Sequence, residues 1–181
     1  MPLSHLTNID NDLRARALRV RLACFDVDGT LTDGRLIYDD EGRESKAFHI
    51  HDGQGLVLLR QAGLEVALIT ARRSPAAERR ARELGVRILT GVKDKLAQVD
   101  ALCAELGLER EQVSFMGDDL PDLPPFRAVG LAVAPADAHA WTARHAHWRT
   151  QARAGAGAAR EVCDLLLGVQ GHDSALLEPL R

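Results

Sequence analysis

Residues 22–32 read LACFDVDGTLT. A short, almost continuously apolar run breaks into two aspartates one residue apart, Asp26 and Asp28, and then Gly29 and Thr30. Such a run is the pattern of a parallel β-strand covered on both faces. Carboxylates at the mouth of a buried strand are costly unless a cation or hydrogen-bond donors meet them. The rest of the chain has to supply both the sheet around this strand and the partners of its two acids.

Working outward, similar runs recur at 64–70 (LEVALIT), 85–90 (GVRILT), 111–119 (EQVSFMGDD) and 129–134 (VGLAVA), with a short sixth at 146–150 (AHWRT). Helix-like stretches separate them at 52–63, 74–85, 93–107 and 156–168. Ser74 ahead of Pro75, and Gly85 at the far end, are start and stop signals. This alternation predicts an α/β fold, a doubly wound, Rossmann-like parallel sheet. Right-handed crossovers then bring the carboxyl ends of the strands to one edge, where ligands bind. Residues 34–50 (GRLIYDDEGRESKAFHI) break the rhythm, with two β-like runs around the turn-rich DDEGR. They predict a β-hairpin inserted after strand one. The stretch between Asp28 and Thr70 must hold that hairpin and a helix, which leaves no room for a separate cap domain. The organisation is one domain over 20–170, with a peripheral segment 1–19 and a tail 171–181.

The 181 residues are 46% hydrophobic and 27% charged, the balance of a globular domain with a real core. A net charge of −3 offers no field to draw nucleic acid. Three cysteines without a CxxC pair argue against a disulfide framework or a thiolate zinc site. The first residues lack the apolar core of a secretory signal, and no run approaches a membrane span, so the expected location is the cytoplasm. His145 and His147 fit a surface strand or loop better than a metal site. Trp141 and Trp148 fit packing better than base stacking.

Four features fall at the ends of four successive predicted strands: Asp26 and Asp28, Thr70, Lys95, and Asp118 with Asp119 in GDDLPD (117–122). Each has a bland reading alone, as an Asp-Gly turn, a helix cap, a solvated lysine or a polar loop. Their shared edge and order are what those readings leave unexplained. Converging carboxylates repel unless a cation joins them, and oxygen-only ligands favour Mg2+. A lysine adds positive charge for a phosphoryl group. An aspartate beside a metal can attack phosphorus, and a second acid can protonate the leaving oxygen. Asp122 fits a helix cap and a catalytic role equally well.

DVDGT, Thr70, Lys95 and GDDLPD resemble the four motifs of the haloacid-dehalogenase-like phosphotransferases. The resemblance implies Asp26 as nucleophile and metal ligand. It makes Asp28 the general acid/base, with its backbone carbonyl on Mg2+. Thr70 and Lys95 would hold the phosphoryl group, Asp118 would ligate the metal, and Asp119 would support it. Over about residues 20–170 the chain is similar to one capless branch, the 3-deoxy-D-manno-octulosonate 8-phosphate phosphatases of lipopolysaccharide precursor synthesis. DGRLIYDDEGRESKAFHIHDGQG, ITAR, ERRARELG and GAAREVCDLLL carry that similarity.

The branch is homotetrameric, with hairpins that associate across subunits and neighbours that help close each site. It implies a small-molecule sugar-acid phosphate as substrate, held by His49, Ile50, His51, Asp52, Gly53, Arg72 and Arg80. Arginines suit the carboxylate of such a substrate because they bind it bidentately. The chain departs from the pattern at Ala71, where glycine is usual, at His51, where arginine is common, and in RAGAGAARE (153–161), where a Gly-Gly pair is common. Rival readings are a phosphatase for a nine-carbon keto sugar acid 9-phosphate, a non-catalytic binding subunit, and a phosphoprotein phosphatase. Relatives of the nine-carbon type carry Glu where Arg72 stands.

Overall fold

A computed structural model describes residues 6–172. In chain order it contains α1 (Asn11–Arg19), β1 (Leu22–Phe25), the hairpin strands β2 (Ile37–Tyr38) and β3 (Glu44–Ser45), α2 (Ile50–Gln61), β4 (Glu65–Ile69), α3 (Pro75–Leu84), β5 (Arg87–Leu89) and α4 (Lys95–Leu106). There follow β6 (Val113–Met116), α5 (Leu123–Phe126), β7 (Leu131–Ala134), α6 (Ala140–Ala143), β8 (Trp148–Arg149) and α7 (Ala158–Val169). Six strands form one sheet in the order β5-β4-β1-β6-β7-β8, and every neighbouring pair is parallel. β2 and β3 pair antiparallel as a separate hairpin, and no second domain intervenes between β1 and β4.

The pleat of β1 explains its unbroken apolar sequence. Ala23 and Phe25 face one core layer, with Leu56, Leu59, Leu165 and Leu166 of α2 and α7. Leu22 and Cys24 face the other, with Val99, Phe115 and Phe126. Successive side chains point to opposite faces, so a strand buried on both needs apolar residues at every position. α2 and α7 approach closely because Gly55 has no side chain; a Cβ there would lie 3.0 Å from Cys163 Cβ and Sγ. Helix ends follow the punctuation. Ser74 Oγ accepts from Ala77 N ahead of Pro75, and α3 stops at Gly85 with φ +64°. Asp94 caps α4, which stops at Gly107 with φ +66°.

Within the segment 1–19 lies a helix that the apolar spacing does not announce. Asp10 caps α1 by accepting from Leu13 N at 2.8 Å. Only Leu13 and Ala17 of that helix are buried, against the layer that contains α7, which is too few positions for a visible period. Of the tail, residues 173–181 lie outside the described residues. Trp148 is buried, its Nε1 donating to Thr7 O, but Trp141 is 57% exposed, so the packing expectation fails for that residue. His147 Nδ1 accepts from Ala132 N at 2.8 Å, a strand-edge role.

Candidate active site

β1, β4 and β6 lie side by side, so the residues that follow them meet at one edge. Asp26, Asp28, Thr70, Arg72, Lys95, Asp118 and Asp119 all line one open pocket there. Asp26 is 6% exposed and is fixed to the neighbouring strand by donation from its own N–H to Met116 O. The Lys95 ammonium, at the first turn of α4, sits 2.8 Å from Asp26 Oδ1 and 2.6 Å from Asp122 Oδ1. Thr30 Oγ1 donates to Asp118 Oδ1 at 3.2 Å. Gly29 adopts φ +83°, and a Cβ there would lie 2.2 Å from Asp118 Oδ2, so the turn needs glycine for conformation and for space.

Asp26, Asp118 and Asp122 each offer a carboxylate oxygen, all within 4.8 Å of one another. Burial pushes the Asp26 carboxyl up to about 7, and the Asp122 carboxylate adds to the shift against the pull of Lys95. Burial likewise lifts Asp118 to about 7, helped by Asp26 and Asp122. Burial alone would depress the Lys95 ammonium, but the two carboxylates together outweigh it and raise it. Three clustered acids, two of them buried and Asp118 half-buried, against one ammonium make a site that a hard, oxygen-seeking cation would neutralise. The donor set therefore fits Mg2+.

The third acid of this cluster is Asp122, where the motif reading names Asp119. Asp122 is 1% exposed, and its Oδ2 accepts from the backbone N–H groups of Asp118 and Asp119 at 3.0 and 3.2 Å. Gly117 leaves the room, since a Cβ there would meet the Asp122 carboxylate at 2.3 Å. Asp119 is an exposed rim residue whose Oδ1 accepts from Leu120 N. The third acid of GDDLPD was a visible signal, but its spacing suits a cap as well as a site.

Asp28 is held differently. One carboxylate oxygen pairs with the Lys46 ammonium of the hairpin; the other accepts from Thr70 Oγ1 at 3.4 Å and lies 4.0 Å from Arg72 Nε. Arg72 also pairs with Glu44 and donates to Tyr38 Oη at 3.3 Å. Lys46 and Glu44 carry no signal in the sequence. Among the described residues Asn8 is the only non-glycine at positive φ, so Ala71 follows Thr70 without strain.

The remaining predicted contacts do not meet this pocket within one chain. His49, Asp52, Gly53 and Arg80 surround a second cavity, with Phe48 and Leu56. The Arg80 guanidinium crosses Gly53, where a Cβ would meet it at 2.1 Å. The Asp52 carboxylate accepts from Arg160 N at 2.8 Å and Gly157 N at 3.3 Å, so it secures the start of α7. Ile50 is 73% exposed, and the exposed His51 meets His49 edge-on.

The 3-deoxy-D-manno-octulosonate 8-phosphate phosphatase KdsC of Yersinia pestis is 43% identical to this chain over 163 residues, 90% of the chain and 87% of that protein. The chain belongs to the KdsC family. The haloacid dehalogenase-like hydrolase model matches residues 52–130, and the chain is an enzyme of that hydrolase class. The 3-deoxy-D-manno-octulosonate 8-phosphate phosphatase of Moraxella catarrhalis, crystallised with magnesium ion, phosphate ion and a KDO molecule, is 38% identical with a TM-score of 0.93; the match covers 96% of this chain and 100% of that one. A hypothetical protein of Xanthomonas campestris is 59% identical with a TM-score of 0.96, covering 99% and 98%. Among the described residues no helix is long and apolar enough to cross a membrane.

Proposed function

We propose that this KdsC-family chain is a Mg2+-dependent phosphomonoesterase that hydrolyses 3-deoxy-D-manno-octulosonate 8-phosphate to the free sugar acid and phosphate, in the cytoplasm, as a step of lipopolysaccharide precursor synthesis. The observation that carries the reading is the meeting of Asp26, Asp28, Thr70, Lys95 and Asp118 in one pocket. Asp26, Asp118 and the backbone carbonyl of Asp28 hold the cation, with Asp119 at the rim. When bound, it supplies positive charge for the phosphoryl oxygens. Thr70 and Lys95 hold the phosphoryl group. The Asp26 carboxylate attacks phosphorus, the bond from phosphorus to the sugar oxygen breaks, and Asp28 gives its proton to that oxygen. Asp28 then takes a proton from water as the water attacks the aspartyl-phosphate, which restores both acids.

The sugar-acid end falls to Arg72, with His49, Ile50, His51, Gly53 and Arg80 serving it across the interface of a homotetramer. Exposed Leu36, Ile37 and Tyr38 on the hairpin support such an association. Asp52 acts by holding the helix on which the loop rests.

A phosphate-release screen tests the reading, with and without Mg2+, over eight-carbon and nine-carbon sugar-acid phosphates, a neutral sugar phosphate and a phosphopeptide. The eight-carbon sugar acid is expected to lead in Mg2+, and Asp26→Asn to lose at least ~10³-fold in turnover. Preference for the neutral sugar, or near-normal turnover by Asp26→Asn, would overturn it.

A further inference from the structure

Lys46 belongs to the hairpin, and its side chain is 1% exposed although it carries a charge. A buried ammonium persists only where it is paired. Its two partners are Asp28, one of whose carboxylate oxygens it touches, and Glu44, whose Oε1 lies 2.9 Å away. Glu44 uses its other oxygen for Arg72, which approaches the second oxygen of Asp28 at 4.0 Å. Four side chains thus close a ring of alternating charge. The ring draws two members from the hairpin, one from the turn after β1 and one from the turn after β4. It holds Asp28 from both sides, with Lys46 paired to one oxygen and Thr70 donating to the other, which the Arg72 charge faces from 4.0 Å.

We propose that Lys46 is the positioning residue for Asp28, fixing the carboxylate rotamer that the acid/base step needs, and that Glu44 keeps Lys46 aimed. This rests on the functional reading above, because Asp28 must be the acid/base for its orientation to affect turnover. A carboxylate that transfers a proton has to meet the leaving oxygen at hydrogen-bond distance, and misplacement by about 1 Å can cost ~10²-fold in rate. Three of the four residues in the two short hairpin strands are exposed, Ile37 and Tyr38 among them, so the hairpin's own packing does little to hold it. The ion-pair ring ties it to the catalytic edge. The insertion that stands where a cap domain would stand therefore contributes to the chemistry as well as to access.

The test compares Lys46→Met and Lys46→Arg with the parent enzyme in saturating Mg2+. Lys46→Met is expected to lower kcat by ~10–100-fold while KM moves less than ~3-fold, and Lys46→Arg to recover part of the loss. A role confined to stability would lower the melting temperature and leave kcat of the folded enzyme alone. A second cycle reads the contact without any activity: Lys46→Met, Asp28→Asn and the double variant are melted side by side. Non-additive losses, with the double variant within about 2 °C of the less stable single, support the pairing. Additive losses, or an unchanged kcat in Lys46→Met, overturn it. If the parent itself releases no phosphate from the sugar-acid phosphate, the functional reading fails instead, and the melting cycle still decides whether the pair forms.

Discussion

Replacing Asp122 by alanine removes the acceptor of three hydrogen bonds: from the Lys95 ammonium at 2.6 Å, and from the N–H groups of Asp118 and Asp119 at 3.0 and 3.2 Å. The side chain is 1% exposed, so water does not replace it freely. Breaking a buried ion pair from one side costs ~3–5 kcal/mol, because the surviving charge loses its partner. Here the loss falls toward the low end for two reasons. Lys95 keeps Asp26 at 2.8 Å, and removing one of three clustered carboxylates relieves repulsion on Asp26 and Asp118. A net loss of about 3 kcal/mol translates to a fall of ~6–12 °C in melting temperature for a domain of this size. Asp119→Ala is the internal comparison: it removes a cap contact to Leu120 N at the rim, worth ~1 kcal/mol, or ~2–4 °C. Differential scanning calorimetry of both variants in Mg2+ buffer reads the two numbers directly. If Asp122→Ala melts within about 2 °C of the parent, or if Asp119→Ala falls further, Asp122 is not the buried anchor described above.

Two further outcomes follow from the same geometry. Asp26 and Asp118 hold protons in the folded chain up to about 7, whereas an ordinary carboxyl releases them near 3.8. A raised folded-state value means stability in EDTA falls as pH rises between those limits and then levels. The gain in melting temperature on adding Mg2+ is therefore larger at pH 8 than at pH 5, and an equal gain at both would refute the assignment. Asp52→Ala frees Gly157 N and Arg160 N at the start of α7 and is expected to lower melting by ~2–6 °C, checked by calorimetry; parent-like melting would remove its capping role.

Much of this was legible because the physics is local or periodic. Strands buried on both faces must be apolar throughout, and Ser74-Pro75 and Gly85 mark a helix by conformation alone. Asp26, Thr70 and Asp118 were legible as a set because a parallel sheet sends the ends of its strands to one edge. Their chemical roles came from the resemblance and not from spacing. What escaped depends on long-range closure. Lys46 meets Asp28 across an irregular loop, and Asp52 meets residues more than a hundred positions away. Neither partner is implied by sequence distance or period. Asp122 was ambiguous because one spacing serves a cap and a cluster alike, and only burial separates them.

The order of the strands has a bearing on when the enzyme comes to life. Asp26 directly follows β1, a central strand that comes early in the chain, yet that strand's neighbours in the sheet, β4 and β6, are supplied much later. Lys95 closes on Asp122 only after β6 has been laid down. A ribosome emitting this chain from its N-terminus thus releases Asp26 well before Thr70, Lys95, Asp118 and Asp122, the groups that gather around it. Truncated or half-built chains carry Asp26 but not the pocket around it. Turnover accordingly counts molecules whose central strands are all in register, a stricter census of the native state than any signal from helix content.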